Sequence, residues 1–309
     1  MRVANVVRAL VLVLVAAVPA AHAIVPDDGF VDVDRNGVFS AGDVPLSNFV
    51  TPDGLAFNEL QKGPNWTPPN HPVDVVLARP VTFPSKGAEP GPVDVTILVR
   101  GRVTIGANLT IKRPESSVYI VSLEDGIYVK PGVHVDGNGD VDLRAYGANG
   151  WVVVGSTARL STKGDTSTFT VFGHAVMVET GVQFVLSGAG YSNMIVNGDV
   201  VGVAPNITAT TSGRGSFTLI SGADLTLQHW NVKAGYLHIE SYSDNTSPSA
   251  KHVRIEDSTL NQTYVHGDYR VLAGPSLATN SYAPHAIVLV RTHVTTKAPA
   301  LYVPDPEIQ

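Results

Sequence analysis

Short runs of alternating apolar residues recur along most of this chain, and they constrain its fold more than any other feature. From Val73 onward each run places two or three apolar side chains on one face, as in Val93-x-Val95-x-Ile97. Glycine, asparagine, aspartate or serine separates the runs. A period of two is typical of strands that are buried on one face. The pattern therefore predicts an all-β protein built from many short strands.

The composition favours the same fold class. The chain contains 29 glycines and 21 prolines, and only 16% of its residues are charged, against an average of about 25%. No amphipathic helix of useful length follows the first 23 residues. Strands that are this short and this numerous fit a β-sandwich, a barrel or a solenoid.

The last third of the chain favours the solenoid. The pattern apolar-x-apolar-x4-apolar occurs three times, starting at Leu225, Val253 and Ile287. A coil of about 20–25 residues, with loops extruded from it, would give starts that are spaced in this way. One such coil cannot bury its apolar face alone, so the coils must stack on one another.

These segments resemble the right-handed parallel β-helix of the pectin-lyase-like superfamily, over residues 73–309. The resemblance implies a β-solenoid with extruded loops at 241–250 and 261–285. A β-sandwich is the alternative fold. A solenoid also needs its first coil covered against edge-to-edge association, and residues 24–72 are placed to form an N-terminal cap. Five prolines within 51–72 each remove a backbone donor, so we expect no regular element there.

Residues 1–23 have the features of a secretory signal peptide. Arg2 and Arg8 are basic, residues 9–18 are apolar, and Ala21-His22-Ala23 is a small-residue cleavage site. We therefore expect the mature chain outside the cytoplasm, in the periplasm, at the cell surface or in the extracellular medium. Without the two arginines its net charge is −8, which argues against nucleic acid as a partner, and we expect no membrane insertion.

Residues 32–43 have the spacing of a calcium-binding loop. Oxygen donors occupy loop positions 1, 3, 5, 9 and 12, and Gly37 is at position 6, where the backbone must turn sharply. Phe39 is where an apolar residue anchors such loops. The predicted ligands, with one backbone carbonyl at loop position 7, are Asp32, Asp34, Asn36, Val38, Ser40 and Asp43.

This stretch resembles the calcium loops of EF-hand and dockerin modules. The resemblance implies calcium as the cofactor, although Asp43 stands where an EF-hand has a longer glutamate. Only one loop is present, so neither a cohesin partner nor a calcium switch is implied. We expect a structural role, and an ordinary Asp/Asn-Gly turn is the alternative. A second acidic turn at 136–142 is interpreted as a polar turn rather than a metal site.

The sequence contains no complete polysaccharide-degrading motif. The weak catalytic candidates are His252, Arg254 and Glu256, which share the outward face of one predicted strand. The same face on the neighbouring strands is less charged, and an active-site cleft usually spans several coils. A solvated strand face is therefore favoured over catalysis.

Aromatic residues near the C-terminal loops predict a binding surface. Tyrosine and tryptophan combine an apolar ring with a polar group, which suits sugars or a protein partner. The candidates are Trp230, Tyr242, Tyr264, Tyr269 and Tyr282. The alternative is that these rings hold the loops on the solenoid wall.

The sequence therefore favours a secreted or surface-exposed, calcium-stabilised β-solenoid without catalytic activity. Its expected role is structural, in adhesion or in glycan binding, with a polysaccharide or a surface protein as partner. The alternative is a calcium-associated polysaccharide lyase or glycoside hydrolase with an atypical site near 252–270.

Overall fold

The computed structural model describes residues 29–51, 54–83, 94–188, 190–211, 214–241, 252–262, 269–273, 287–295, 301–302 and 307–308. Through these residues the chain winds into a parallel β-solenoid that follows a short cap. Antiparallel pairing within the described residues is confined to the cap strands, to their contacts with the first coil and to the turn at 63–66. The predicted all-β solenoid is confirmed, and the β-sandwich is excluded.

The cap consists of three short strands and one 3₁₀ turn. These are β1 (Phe30–Asp32), β2 (Val44–Pro45), the 3₁₀ turn (Leu46–Phe49) and β3 (Val50–Thr51). No helix in the described part of the chain has the length and apolar character needed to cross a membrane.

Within the described residues, each coil of the solenoid except the last contributes one strand, or part of one, to each of three sides. The first four coils are β4 (Gly54–Asn58), β5 (Asp74–Leu77) and β6 (Val81–Phe83); β7 (Asp94–Val99), β8 (Val103–Ile105) and β9 (Leu109–Ile111); β10 (Val118–Ser122), β11 (Gly126–Val129) and β12 (His134–Gly137); and β13 (Val141–Ala145), β14 (Trp151–Val154) and β15 (Arg159–Thr162). The next two coils have two strands each, β16 (Thr168–Val178) with β17 (Gln183–Leu186) and β18 (Asn193–Val203) with β19 (Thr208–Thr211). The remaining coils are β20 (Ser216–Ser221), β21 (Leu225–Gln228) and β22 (Asn231–Ala234); β23 (Tyr236–Ser241), β24 (Val253–Glu256) and β25 (Thr259–Gln262); β26 (Tyr269–Ala273), β27 (Ile287–Val290) and β28 (His293–Thr295); and β29 (Leu301–Tyr302) with β30 (Glu307–Ile308).

The strands of the first and third sides each form one parallel ladder, and those of the second side form two, one from β5 to β18 and one from β21 to β30. The first side begins with β4, β7, β10 and β13, the second with β5, β8, β11 and β14, and the third with β6, β9, β12 and β15. β16 and β18 are long enough to serve both the first and the second side. The third side contains nine strands.

The core is a set of columns inside the coils. Alternate residues of each strand point inward, and the parallel register puts equivalent residues of successive coils in contact. One column on the first side contains Val95, Val118, Val141, Phe169, Met194, Phe217 and Leu237. All seven side chains are buried. Burial of one such side chain is worth about 1.5–3 kcal/mol, which gives each coil a reason to stack on the next.

The repeats that were predicted in the last third of the chain lie in the expected register. Leu225 pairs with Val253, and Val253 pairs with Ile287. The start of the solenoid differs from the prediction, because β4 already pairs in parallel with β7. The winding therefore begins at Gly54, within the segment 24–72 that was assigned to the cap. The expectation that 51–72 contain no regular element is wrong, because Gly54–Asn58 precede most of the prolines and form a strand.

Small residues line the corner between the first and second sides. In successive coils the aligned residues are Ala145, Gly173, Gly198, Ser221 and Ser241. The chain passes this corner inside a single strand in β16 and in β18, whereas residues 146–150 separate β13 from β14 and residues 242–252 separate β23 from β24. The same corner therefore accommodates connections of different lengths.

Acidic and amide side chains at other corners join one coil to the next. Asp94 Oδ1 accepts a hydrogen bond of 2.8 Å from the amide of Ser117, and Asp140 Oδ1 accepts one of 2.8 Å from Thr168. Asn108 Oδ1 accepts in the same way from His134, at 2.8 Å. These bonds satisfy backbone donors where the ladders are interrupted.

Candidate metal centre and surface sites

The predicted calcium loop connects two cap strands at the edge of the first coil. β1 ends at Asp32, and the chain returns in β2 at Val44. β1 pairs antiparallel with β5, which places Asp32 opposite Asp74. The loop therefore lies where the cap meets the solenoid.

Three carboxylates converge in this loop. One oxygen from each of Asp32, Asp34 and Asp43 lies within 4.8 Å of the others. Asp32 is buried, Asp43 is half-buried and Asp34 is exposed. The sequence placed these residues at loop positions 1, 3 and 12, and the structure brings all three together.

The same carboxylates organise the loop backbone. Asp32 accepts hydrogen bonds from the amides of Asn36, at 3.1 Å, and Gly37, at 2.6 Å. Asp43 accepts from the amides of Val33, at 2.8 Å, and Ser40, at 2.7 Å. The first and last acidic residues therefore hold the loop closed around the point where their oxygens meet.

The remaining predicted ligands lie in the same loop. Ser40 Oγ lies 3.1 Å from both Asp34 Oδ2 and Asp43 Oδ2, so its one hydroxyl hydrogen is shared between the two carboxylates. Asn36 Oδ1 accepts from the amide of Val38 at 2.7 Å, and Asn36 Nδ2 donates to Asp34 at 2.8 Å. The Val38 side chain is exposed, so its backbone carbonyl is the group that the position offers to a cation.

Two further features of the loop agree with its sequence. Gly37 has φ +79°, a conformation that favours glycine, at the position where the prediction required a sharp turn. Phe39 packs edge-on against Phe30, with 5.6 Å between the ring centroids. This contact anchors the loop to β1, as was predicted for an apolar residue at loop position 8.

The acidic groups influence one another. Burial raises the pKa of Asp32, and the hydrogen bond with Asp34 and the charge of Asp43 act in the same direction. Desolvation raises the pKa of Asp34 as well, but hydrogen bonds with Ser40, Asp32 and Asn36 outweigh it and lower that pKa overall. Three carboxylates at this distance repel one another, and a divalent cation would remove that repulsion.

The donor set fits calcium. All the converging groups are hard oxygen donors, and calcium takes six to eight oxygen ligands at about 2.3–2.6 Å. Asp32, Asp34 and Asp43 would supply the charge, and Asn36, Ser40 and the Val38 carbonyl would complete the ligand set. The structure holds these residues in one short loop, as the sequence predicted.

Arg35, which the sequence analysis did not single out, joins this loop to the solenoid. Its backbone has φ +59°, and its side chain leaves the loop on the side of the coils. Arg35 Nε donates to Asp74 Oδ1 at 2.9 Å, and Arg35 Nη2 donates to Asp125 Oδ2 at 2.7 Å. The two partners are 39 and 90 residues away in the chain, so no local pattern could have revealed the contact.

The weak catalytic candidates share the outward face of β24, as predicted. Arg254 forms an ion pair with Glu256, and Gln228 Nε2 donates to Glu256 Oε2 at 2.7 Å. His252 Nδ1 lies 3.6 Å from Asp224 Oδ1. The hydrogen bond from Gln228 and the contact with Arg254 lower the pKa of Glu256. This carboxylate is therefore held in its ionised form, which does not suit a general acid.

The structure corrects one member of the predicted aromatic surface. Trp230 is only 2% exposed and packs against Phe217 inside the solenoid, with 6.1 Å between the ring centroids. It belongs to the core and cannot contact a ligand at the surface. Tyr242, Tyr264 and Tyr282 lie outside the described residues, and Tyr269 is described only as the first backbone position of β26.

The acidic turn at 136–142 uses its carboxylates within the fold. Asp136 accepts a hydrogen bond from the hydroxyl of Ser161, and Asp140 accepts the backbone amide that links its coil to the next. Asp142 forms an ion pair with Arg144 at 3.1 Å. These contacts agree with the interpretation of a polar turn.

The chain was compared with family models, with curated proteins and with solved structures. None of the three comparisons found a match. The structure therefore shows a parallel β-solenoid, and the likeness to the pectin-lyase-like superfamily remains a resemblance in sequence pattern.

Proposed function

We propose that this protein is a secreted or surface-exposed β-solenoid that is stabilised by calcium in the loop at 32–43. It acts without catalysis, as a structural, adhesive or glycan-binding element. The signal-peptide features of residues 1–23 support export, and extracellular calcium is abundant enough to fill a site of modest affinity.

The convergence of Asp32, Asp34 and Asp43 within 4.8 Å carries the proposal. The role is structural because Arg35, in the middle of the loop, contacts Asp74 of β5 and Asp125 between β10 and β11. A cation that orders the loop would thereby also hold the cap on the coils. Calcium binding and the stability of the solenoid are then linked.

The non-catalytic part of the proposal is supported by the contacts of Arg254 and Glu256. Each is the other's partner, and Gln228 takes a further oxygen of Glu256. A lyase would need a basic residue free to remove a proton, and a hydrolase would need a protonated carboxylic acid. Neither requirement fits this arrangement, so the polysaccharide-degrading alternative has less support.

Calcium-dependent thermal unfolding tests the proposal. Calcium at about ten times its dissociation constant would add about 1.4 kcal/mol to the free energy of unfolding, so the melting temperature should rise with calcium concentration. Chelation with EGTA should reverse the rise. An unchanged melting curve would mean that the loop is an ordinary turn.

Two matched variants locate the effect. Asp34→Asn removes one charged ligand from an exposed position in the loop and should abolish most of the calcium-induced rise. Asp199→Asn makes the same change of charge at an exposed position on β18 and should retain the full rise. An equal rise in both variants would place calcium outside the loop and contradict the proposal.

A further inference from the structure

A cleft of about 450 Å³ lies where the cap meets the first side of the solenoid. It is bordered by the 3₁₀ turn, by β4 and by the turn at 61–66. Its volume falls in the range of small-molecule sites, about 300–1,000 Å³. The residues that line it are Asn48, Phe49, Ala56, Phe57, Asn58, Gln61, Lys62, Gly63, Pro64, Asn65, Trp66 and Thr96.

One wall of this cleft, which we call the Trp66 cleft, is aromatic and fixed in position. Phe49 is half-buried and packs against Phe57, with 4.8 Å between the ring centroids. Phe57 in turn packs edge-on against Trp66 at 5.2 Å. Trp66 Nε1 donates a buried hydrogen bond of 3.0 Å to the Glu59 carbonyl, which fixes the orientation of the indole. Phe49 thus presents an apolar surface that is supported from behind.

The rest of the Trp66 cleft carries carboxamides that face solvent. The side chains of Asn48 and Gln61 make no hydrogen bond with the described residues. Asn58 Oδ1 accepts from the Leu60 amide at 3.0 Å, which leaves the NH₂ group of Asn58 as a donor. Asn65 Nδ2 donates to the Asn48 carbonyl at 3.4 Å, which leaves Asn65 Oδ1 as an acceptor. The Trp66 cleft therefore presents both hydrogen-bond donors and hydrogen-bond acceptors to a ligand.

The charge of the Trp66 cleft favours a neutral or anionic ligand over a cation. Lys62 is the one ionisable side chain among the lining residues, in a protein whose net charge is negative. The nearest carboxylate in sequence, Glu59, is buried and accepts hydrogen bonds from Arg100 Nε at 2.7 Å and from its backbone amide at 2.6 Å. A neutral or anionic ligand fits these surroundings, and a metal ion or an amine does not.

We propose that the Trp66 cleft binds a pyranose unit of a glycan. A pyranose ring has an apolar face, which suits the ring of Phe49, and an edge of hydroxyl groups that both donate and accept hydrogen bonds. Carboxamides match such hydroxyls because they too combine a donor and an acceptor. The inference rests on the proposed glycan-binding role and gives that role a location where the cap meets the first side of the solenoid, and it does not depend on calcium binding.

Saturation-transfer NMR with the full chain tests this inference. Separate probes are short oligosaccharides of glucose, galactose, N-acetylglucosamine and a uronic acid, so that neutral and anionic sugars are distinguished. We expect at least one probe to bind. Phe49→Ala should weaken that binding roughly tenfold, as the loss of an aromatic contact of about 1.4 kcal/mol would. Tyr146→Ala is the matched control, because Tyr146 is an exposed aromatic residue that does not line the cleft, and this variant should bind the probe as the native chain does.

A second variant keeps the test valid if Phe49→Ala does not fold. Gln61 is exposed and holds no other part of the structure through its side chain, so Gln61→Ala should fold and should weaken binding several-fold. If the anionic probe is the one that binds, Lys62→Ala should weaken it as well. Absence of binding by every probe, or binding that survives both Phe49→Ala and Gln61→Ala, would overturn the inference. Neither result would affect calcium-dependent melting, so a failure here is distinct from a failure of the metal site.

Discussion

Arg35 Nε lies 2.9 Å from Asp74 Oδ1, and this ion pair joins the acidic loop of the cap to the first coil of the solenoid. The Asp74 side chain is only 8% exposed, and the same oxygen accepts a hydrogen bond of 2.8 Å from the amide of Arg102 in the second coil. One carboxylate therefore connects the cap with two coils. This contact explains how order in a surface loop can affect the coils beneath it.

Loss of Arg35 should loosen this connection. For Arg35→Ala we expect the free energy of unfolding to fall by about 1 kcal/mol, since the arginine is one-third exposed while its partner Asp74 is buried. Urea unfolding followed by circular dichroism measures the change. Arg291→Ala is the control, because Arg291 binds Asp257 with two hydrogen bonds but is 68% exposed, and its loss should have no clear effect. Equal losses in the two variants would contradict the role of Arg35.

Glu59 and Arg100 form a second link between the first two coils. Glu59 is fully buried, and Arg100 also donates to the His71 carbonyl at 2.7 Å. Glu59→Gln keeps the shape of the side chain but removes the charge that Arg100 needs, so we expect a loss of about 3 kcal/mol. Glu124→Gln, at an exposed position, should change the midpoint of urea unfolding little. A Glu59→Gln midpoint equal to that of the native protein would show that the charge of the pair is dispensable.

Gly126 and Trp151 are neighbours in the parallel register of the second side. A Cβ atom added to Gly126 would meet an indole carbon of Trp151 at 2.3 Å and the Trp151 carbonyl oxygen at 2.5 Å. Gly126→Ala should therefore destabilise the protein by about 1–3 kcal/mol and shift the tryptophan emission to longer wavelength as the half-buried indole is displaced. Gly63→Ala, whose added Cβ has no atom within 4 Å, is the control. An unshifted emission spectrum would mean that the indole is not in the place described.

Lowering the pH should reduce the free energy of unfolding, because protonation of Glu256 weakens its contacts at β24. The hydrogen bond from Gln228, followed by the contacts with Arg254, lowers the pKa of Glu256 from its usual value of 4.5. A carboxylate with a lowered folded-state pKa stabilises the protein above the unfolded-state value, and the gain disappears as pH falls through the folded-state value. We therefore expect the native protein to lose more melting temperature than Glu256→Gln when the pH is lowered from neutral to below 4.5. Parallel pH profiles would contradict this contact.

The same residues give a prediction about catalysis. Because Arg254 and Glu256 are engaged with each other, we expect no unsaturated product when the protein is incubated with acidic polysaccharides and calcium. Absorbance of the unsaturated sugar measures the reaction. Product that appears with the native protein and disappears in Arg254→Ala would support the lyase alternative and refute a non-catalytic role.

The coil structure could be predicted from sequence wherever inward residues alternate without interruption. The spacing of Leu225, Val253 and Ile287 gave the correct register, because a slip of one residue would turn every apolar side chain outward. The first strand of the first coil, β4, was missed because the proline-rich stretch between it and β5 hides it from a search for repeats. The convergence of Asp32, Asp34 and Asp43 could be predicted because all three lie within twelve residues of one another.

The surface was harder to predict. Trp230 stands beside polar residues in the sequence, yet it turns into the interior after β21, where Phe217 provides a partner. The contacts of Arg35 depend on residues from distant parts of the chain, and Thr96 joins the Trp66 cleft only because β7 pairs with β4. Such contacts are set by how the coils stack, and the period-two pattern carries no information about them.

The variable corner between the first and second sides has a practical consequence. β16 passes it with Gly173, His174 and Ala175 alone, while other coils make the same bend with longer segments and keep their register. A foreign peptide grafted after His174 would enter at a place where length is already tolerated, and the cost of closing the new loop grows only slowly with its size. The solenoid is therefore suited to carrying peptide epitopes inserted at this corner, each at a position along the solenoid that is set by the coil into which it is inserted.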